Sequence, residues 1–143
     1  MPRSSPISEA GLARRKGLGS IKNSSRKHPA RGPKDKGKTF EREVVAQLLA
    51  AFPQLTDKDI VARSMGDPGQ DILLSTRASE LIPLAMELKR AEKFSLDAAL
   101  RQANAHAAKS GLTPCVVFRK SRQPAYAVIP LSLLVGLLQK VSK

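Results

Sequence analysis

Glu87 and Lys89 stand two residues apart at the end of an otherwise apolar run, "LIPLAMELKR", residues 81–90. Residues two apart on a strand share a face, so this acid and this base project together, with Cα atoms roughly 6.7 Å apart. The preceding apolar run, "DILL", opens with Asp71, an acid that such a run does not otherwise need. The stretch "STRASE" between them predicts an antiparallel hairpin centred near Ser79, with Asp71 eight residues before it and Glu87 eight after. That register sets the two acids side by side. Converging carboxylates repel unless a hard divalent cation lies between them. Mg²⁺ takes one or two carboxylates and fills its other positions with water and phosphate oxygens. Lys89 beside such a pair suits an anionic substrate, where it can orient or help deprotonate an attacking water and stabilise charge developing on phosphorus. The competing reading is a strand that leaves the core at Glu87, so that its charges meet water.

Further candidates flank this pair. Glu41 shares a helical stripe with Val45, Leu48 and Phe52, at spacings of four, seven and eleven, whereas Arg42 and Glu43 lie on the polar side. An acid leaning inward is either a first-turn residue favoured by the helix dipole or a further carboxylate of the site. Gln102 and His106, four apart, form a polar stripe with Lys109 one turn on. They are candidates for contacts to phosphate or to a metal-bound water, or else an ordinary solvated face. Arg63 and Ser64 precede the turn "MGDPGQ" and are candidates for the backbone of a nucleic acid, as are Lys89, Arg90 and His106.

Eight elements must position these groups. "TFEREVVAQLLAAF" carries Phe40, Val44, Leu48 and Phe52 at helical spacing and ends at Pro53. "DIVARS", "DILLS" and "LIPLAMELK" read as strands, and the Asp-Pro-Gly chemistry of "MGDPGQ" as a turn. Ser95 caps a helix whose apolar stripe is Leu96, Ala99, Leu100, Ala103 and Ala107, and Gly111 ends it. "PCVVFR" and "AYAVI" are further strands, and Pro130 opens a final helix. The order α-β-β-β-α-β-β-α predicts an α/β fold, a mixed sheet flanked by helices.

The chain has 143 residues, 41% hydrophobic and only 3% aromatic, which predicts one domain with an aliphatic core. Its net charge of +13 is uneven: residues 1–38 carry +9 and the remaining 105 carry +4. The first stretch is rich in Ser, Gly and Pro and lacks a sustained apolar period, so residues 1–38 read as a disordered basic arm and 39–143 as the folded domain. Arg14, Arg15 and Lys16 head the cations by which such an arm would lie on phosphates. The single Cys115, among apolar neighbours, excludes an intramolecular disulfide, and a structural zinc site is not expected. No run is long and apolar enough to span a bilayer, so no membrane association and a cytoplasmic location are expected.

Glu41 on a first helix, Asp71 after "GDPGQ", Glu87-Leu88-Lys89 and Gln102 on the next helix resemble the PD-(D/E)xK nuclease superfamily, and within it the small Holliday junction resolvases of archaea and phages. The likeness covers about residues 38–129. It implies a restriction-endonuclease-like fold and Mg²⁺-dependent hydrolysis of DNA phosphodiesters, with Mn²⁺ able to substitute. It implies metal binding by Asp71, Glu87 and the Leu88 carbonyl, a water-orienting role for Lys89, and catalytic roles for Glu41 and Gln102. Pro68 stands three residues before Asp71 rather than beside it, so Asp67 is a rival ligand. The cell would be bacterial, archaeal or phage-infected, and the substrate branched DNA. A resolvase cuts two strands symmetrically, which implies a homodimer. Leu133, Leu134, Leu137 and Leu138 of the final helix are its expected seam. The alternatives are a non-catalytic nucleic-acid-binding protein on the same fold and a nuclease for linear duplex or ends.

Overall fold

A computed structural model describes residues 32–143; Arg14, Arg15, Lys16 and most of the expected arm lie outside them. The first helix, α1, spans Pro33–Ala51, six residues longer at its start than the sequence predicts. Lys34, Lys36 and Lys38 therefore belong to the helix and not to an arm. Pro33 near the helix start and Asp35 in the first turn suit a helix N-terminus. Pro53 disfavours helical backbone at Phe52, where α1 stops.

β1 (Ile60–Ala62) pairs antiparallel with β2 (Ile72–Leu74), with Val61 opposite Leu73. The expected hairpin after β2 is absent. Thr76–Leu81 is instead a short helix, α2, and β3 begins only at Leu84. The reason is local. The Ser75 hydroxyl accepts from the Ala78 amide at 3.1 Å and donates to Asp59 at 2.7 Å, and the stretch holds no Gly or Asn to turn a tight hairpin.

β3 (Leu84–Arg90) runs parallel to β4 (Thr113–Arg119), and the crossover between them is α3 (Leu96–Ser110). Ser95 caps α3, and Gly111, at φ +72°, ends it in the left-handed conformation that glycine favours. β5 (Tyr126–Val128) adds antiparallel to β4, and α4 (Leu131–Val141) closes the chain. The fold is thus α/β, with mixed sheets flanked by helices.

Two apolar clusters hold it together. Phe40 of α1 packs with Ile60, Ile72, Met86, Leu88 and Cys115. Ala99 and Ala103 of α3 pack with Val116. Alanines on α3 let the helix lie close to the sheet, so β3 is buried on both faces. Burial pushes the Cys115 thiol up to about 11, which leaves it an inert core residue.

Ser75 ties α2 to the loop before β1 through its two bonds. Ser75→Ala should lower unfolding free energy by about 1–2 kcal/mol, the usual range for a lost cap, without changing the far-UV spectrum. Urea titration checks this.

Candidate active site

β3 carries Glu87 into the interior, where it is 6% exposed and is the one buried charged residue among those described. Strand alternation brings Lys89 to the same side, and its Nζ lies 2.9 Å from Glu87 Oε1. His106 reaches in from α3, where it neighbours the buried alanine stripe, and its Nε2 lies 3.7 Å from Glu87 Oε2. Burial raises the Glu87 carboxyl above its ordinary value. The hydrogen bond from Lys89 opposes that shift, and the negative charge of Asp71 reinforces it.

Asp71 stands one residue before β2 and is bound to β3 twice. Its amide donates to the Met86 carbonyl at 3.2 Å, and its carboxylate accepts from the Leu88 amide at 2.6 Å. The loss of the hairpin therefore does not separate Asp71 from Glu87, because α2 takes up the same stretch of chain. A strand residue turns its N–H and C=O toward one edge. The Leu88 carbonyl thus faces the edge on which Asp71 lies.

Glu41 of α1 and Asp71 line one cleft of about 320 Å³, along with Lys34, Lys38, Arg63 and Asp67. Glu41 is held by Lys38 at 3.1 Å, and the same ammonium donates to the Arg63 carbonyl. Asp67 is exposed on the loop, where its amide closes a turn to the Ser64 carbonyl; it makes no bond to β3. A second cleft lies beyond the loop, lined by Arg63, Gln70, His106 and Lys109, and contains no acid.

Several expected contacts are arranged differently. Gln102 is exposed and lines neither cleft, while His106, one turn on, meets Glu87. Arg63 turns inward. Its Nε donates to the Gln70 carbonyl at 2.6 Å and a terminal nitrogen donates to the Pro68 carbonyl, so it braces the loop before Asp71. Gly69, at φ +119°, permits this: a Cβ there would stand 2.6 Å from the guanidinium. Arg90 is also mostly covered, held by the Arg119 carbonyl at 3.4 Å and near Glu92 at 4.0 Å. Ser64 lines the first cleft, and Lys89 is engaged by Glu87.

Two site residues escaped the sequence reading. Lys38 falls at the end of the expected arm, although its i, i+3 spacing to Glu41 is the signal of a longer helix. Gln70 has a buried side-chain oxygen without a hydrogen-bond partner, and nothing in its letter or neighbours marks that.

A family model described as "Phage putative PDDEXK endonuclease" matches residues 32–142. The chain belongs to this family. Comparisons with curated proteins and with solved structures return no match. Membership agrees with a nuclease on the PD-(D/E)xK scaffold and with a DNA substrate. Among the described residues no three His, Cys, Asp or Glu side chains converge to cage an ion. Asp71, Glu87 and the Leu88 edge nonetheless fit an open Mg²⁺ site, in which one or two carboxylates suffice.

The raised Glu87 value has a definite sign in stability. The folded state holds this proton more tightly than the unfolded one, so the contribution is complete below the ordinary value of 4.5 and is lost as pH rises through the raised one. Without metal, Glu87→Gln should melt roughly 2–5 °C above the parent at pH 8, and the two should converge near pH 4. Scanning fluorimetry across pH reads that difference.

Proposed function

We propose that this PDDEXK endonuclease is a Mg²⁺-dependent, structure-selective DNA endonuclease of the Holliday junction resolvase type. The observation that carries the reading is Glu87, an acid buried beside Asp71 with Lys89 against it at 2.9 Å. A fold keeps a charge in so costly a place only where something compensates it. Asp71, Glu87 and the Leu88 carbonyl would hold the ion, which when bound supplies Lewis acidity and a water acidic enough to attack phosphorus at neutral pH. Lys89 would orient that water and meet the charge developing on the phosphoryl oxygens. His106 would keep Glu87 aimed, and Glu41, paired with Lys38, would face the substrate across the cleft. The basic N-terminal stretch, +9 over residues 1–38, would add salt-dependent affinity. Among the described residues no helix is long and apolar enough to cross a membrane, and action on DNA in the cytoplasm of a phage-infected or other prokaryotic cell is consistent with that.

A labelled immobile four-way junction, beside linear duplex and single strand, tests this reading. Paired nicks near the branch should require Mg²⁺ or Mn²⁺, vanish with EDTA, and fall at least about 10²-fold in Glu87→Gln and Asp71→Ala. Mn²⁺ at about 100 times its Kd should stabilise the parent by about 2.7 kcal/mol and leave Glu87→Gln unmoved. Cutting of linear DNA at the same rate would leave a nuclease without branch selectivity.

A second reading has its own observation. Glu87 is already paired with Lys89, and among the described residues no third ligand converges. A DNA-binding protein that has lost catalysis would show tight binding with neither cleavage nor a Mn²⁺-dependent shift.

The proposal includes a twofold dimer. α4 buries none of its residues, and Leu131, Leu134, Leu138 and Val141 repeat along it at intervals of three, four and three. That is the spacing of a coiled-coil seam. Leu131 and Val141 are 72% and 82% exposed. The seam differs from the expected one, since Leu133 is half-buried. No charge interrupts residues 131–139, so two copies can meet there despite a strongly basic chain. Light scattering at micromolar concentration should give a dimer mass, and Leu134→Glu with Leu138→Glu should halve it.

A further inference from the structure

Met65 is 67% exposed, on the rim of the cleft that Asp71 and Glu41 line. A large apolar side chain in such a polar setting calls for an explanation. Its loop holds it in place. The Asp67 amide donates to the Ser64 carbonyl at 3.3 Å, closing a turn with Met65 and Gly66 at its corners. Gly66, at φ +89°, supplies the conformation that the third position of a type II turn needs. A side chain at the preceding corner projects away from the chain. Arg63 ties the far side of the loop to the Pro68 and Gln70 carbonyls, and Lys38 ties the near side to α1. Met65 is thus an apolar tip on a braced turn. Lys34 and Lys38 line the same cleft and can draw in a phosphate backbone.

We infer that Met65 is a wedge that enters between stacked DNA bases when a strand is laid in this cleft. The inference rests on the nuclease reading and adds a source of its structure selectivity. Unbranched, polarisable methionine suits insertion into a base step, and such wedges cost a few kcal/mol of unstacking per step. The cost is least where stacking is already interrupted, so a wedge favours a branch over continuous duplex without reading any base. Behind Met65 a second groove between α1 and β1, lined by Val45, Leu49 and Val61, offers an apolar surface to a displaced base.

The test uses the full chain with Ca²⁺ in place of Mg²⁺, on junction and linear DNA carrying the fluorescent base analogue aminopurine at the branch or at the matching duplex position. Binding of the parent to the junction should raise aminopurine fluorescence, the signature of unstacking. Met65→Ala should bind within about threefold of the parent, lose most of the rise and, in Mg²⁺, lose about tenfold of the junction-over-duplex cleavage ratio, a change of about 1.4 kcal/mol. Met65→Leu should keep both. The side chain is exposed, so both variants should melt with the parent, and a mass change in Met65→Ala would overturn the wedge in favour of a self-association contact. An equal fluorescence rise in Met65→Ala, or none in the parent when bound, overturns the wedge and leaves the nuclease standing. Failure of the parent to bind or cut any DNA overturns both.

Discussion

Asp71 joins the two sheets. The hydrogen bonds that connect the β1–β2 ribbon to β3 run through this one residue, by its amide to Met86 and its carboxylate to the Leu88 amide. Those partners flank Glu87. The constraint that seats the ribbon on the sheet therefore also sets two acids beside each other, and neither can shift without disturbing the other. A charge-assisted bond from a backbone amide is among the stronger contacts available to a carboxylate. It leaves one Asp71 oxygen outside that contact, while Glu87 on β3 bears the cost of burial.

That cost is why the surroundings of Glu87 look as they do. Lys89 and His106 approach its two oxygens from different elements, β3 and α3, and both retain some exposure. They moderate the charge without neutralising it in a dry pair. Around them the rigid parts are doubly tied. Arg63 holds the loop ahead of Asp71 by two carbonyls, and its own carbonyl is held from α1 by Lys38. An arginine at the edge of the candidate site is here a brace for backbone, and the cations that face the cleft include lysines of α1.

The protein also keeps apolar surface where water meets it. Val61 and Leu73 pair across the ribbon and are both exposed, Met65 tips the loop, and α4 presents a seam of leucine and valine. α4 has 11 residues, and a helix of that length is marginal on its own in water. Among the described residues, the aliphatic core packs between α1, the sheets and α3.

Much of this was legible in the letters. The Glu-Leu-Lys spacing, the acid that opens an apolar run, the Ser95 cap with its alanine stripe and the Gly111 stop are local signals. Such signals act over a few residues, where periodicity and capping are decisive. They determined an α/β order and pointed to Asp71, Glu87 and Lys89 as candidates, which the structure brings near one another. The misreadings came from local sequence that supports two outcomes. "STRASE" can turn a hairpin or cap a helix, and the bond from Ser75 to Asp59, sixteen residues away, belongs to the helix. The residues before Thr39 look like linker by composition, yet Pro33 starts a helix there and Lys38 finds both Glu41 and the Arg63 carbonyl. Only the tertiary structure decided that His106 and not Gln102 meets Glu87, that Arg63 faces inward and that Gln70 is left unpartnered, because each depends on which distant backbone lies opposite. The sequence by itself determined which groups could do chemistry; the packing of α3 and the loop against β3 determined which of them stand together.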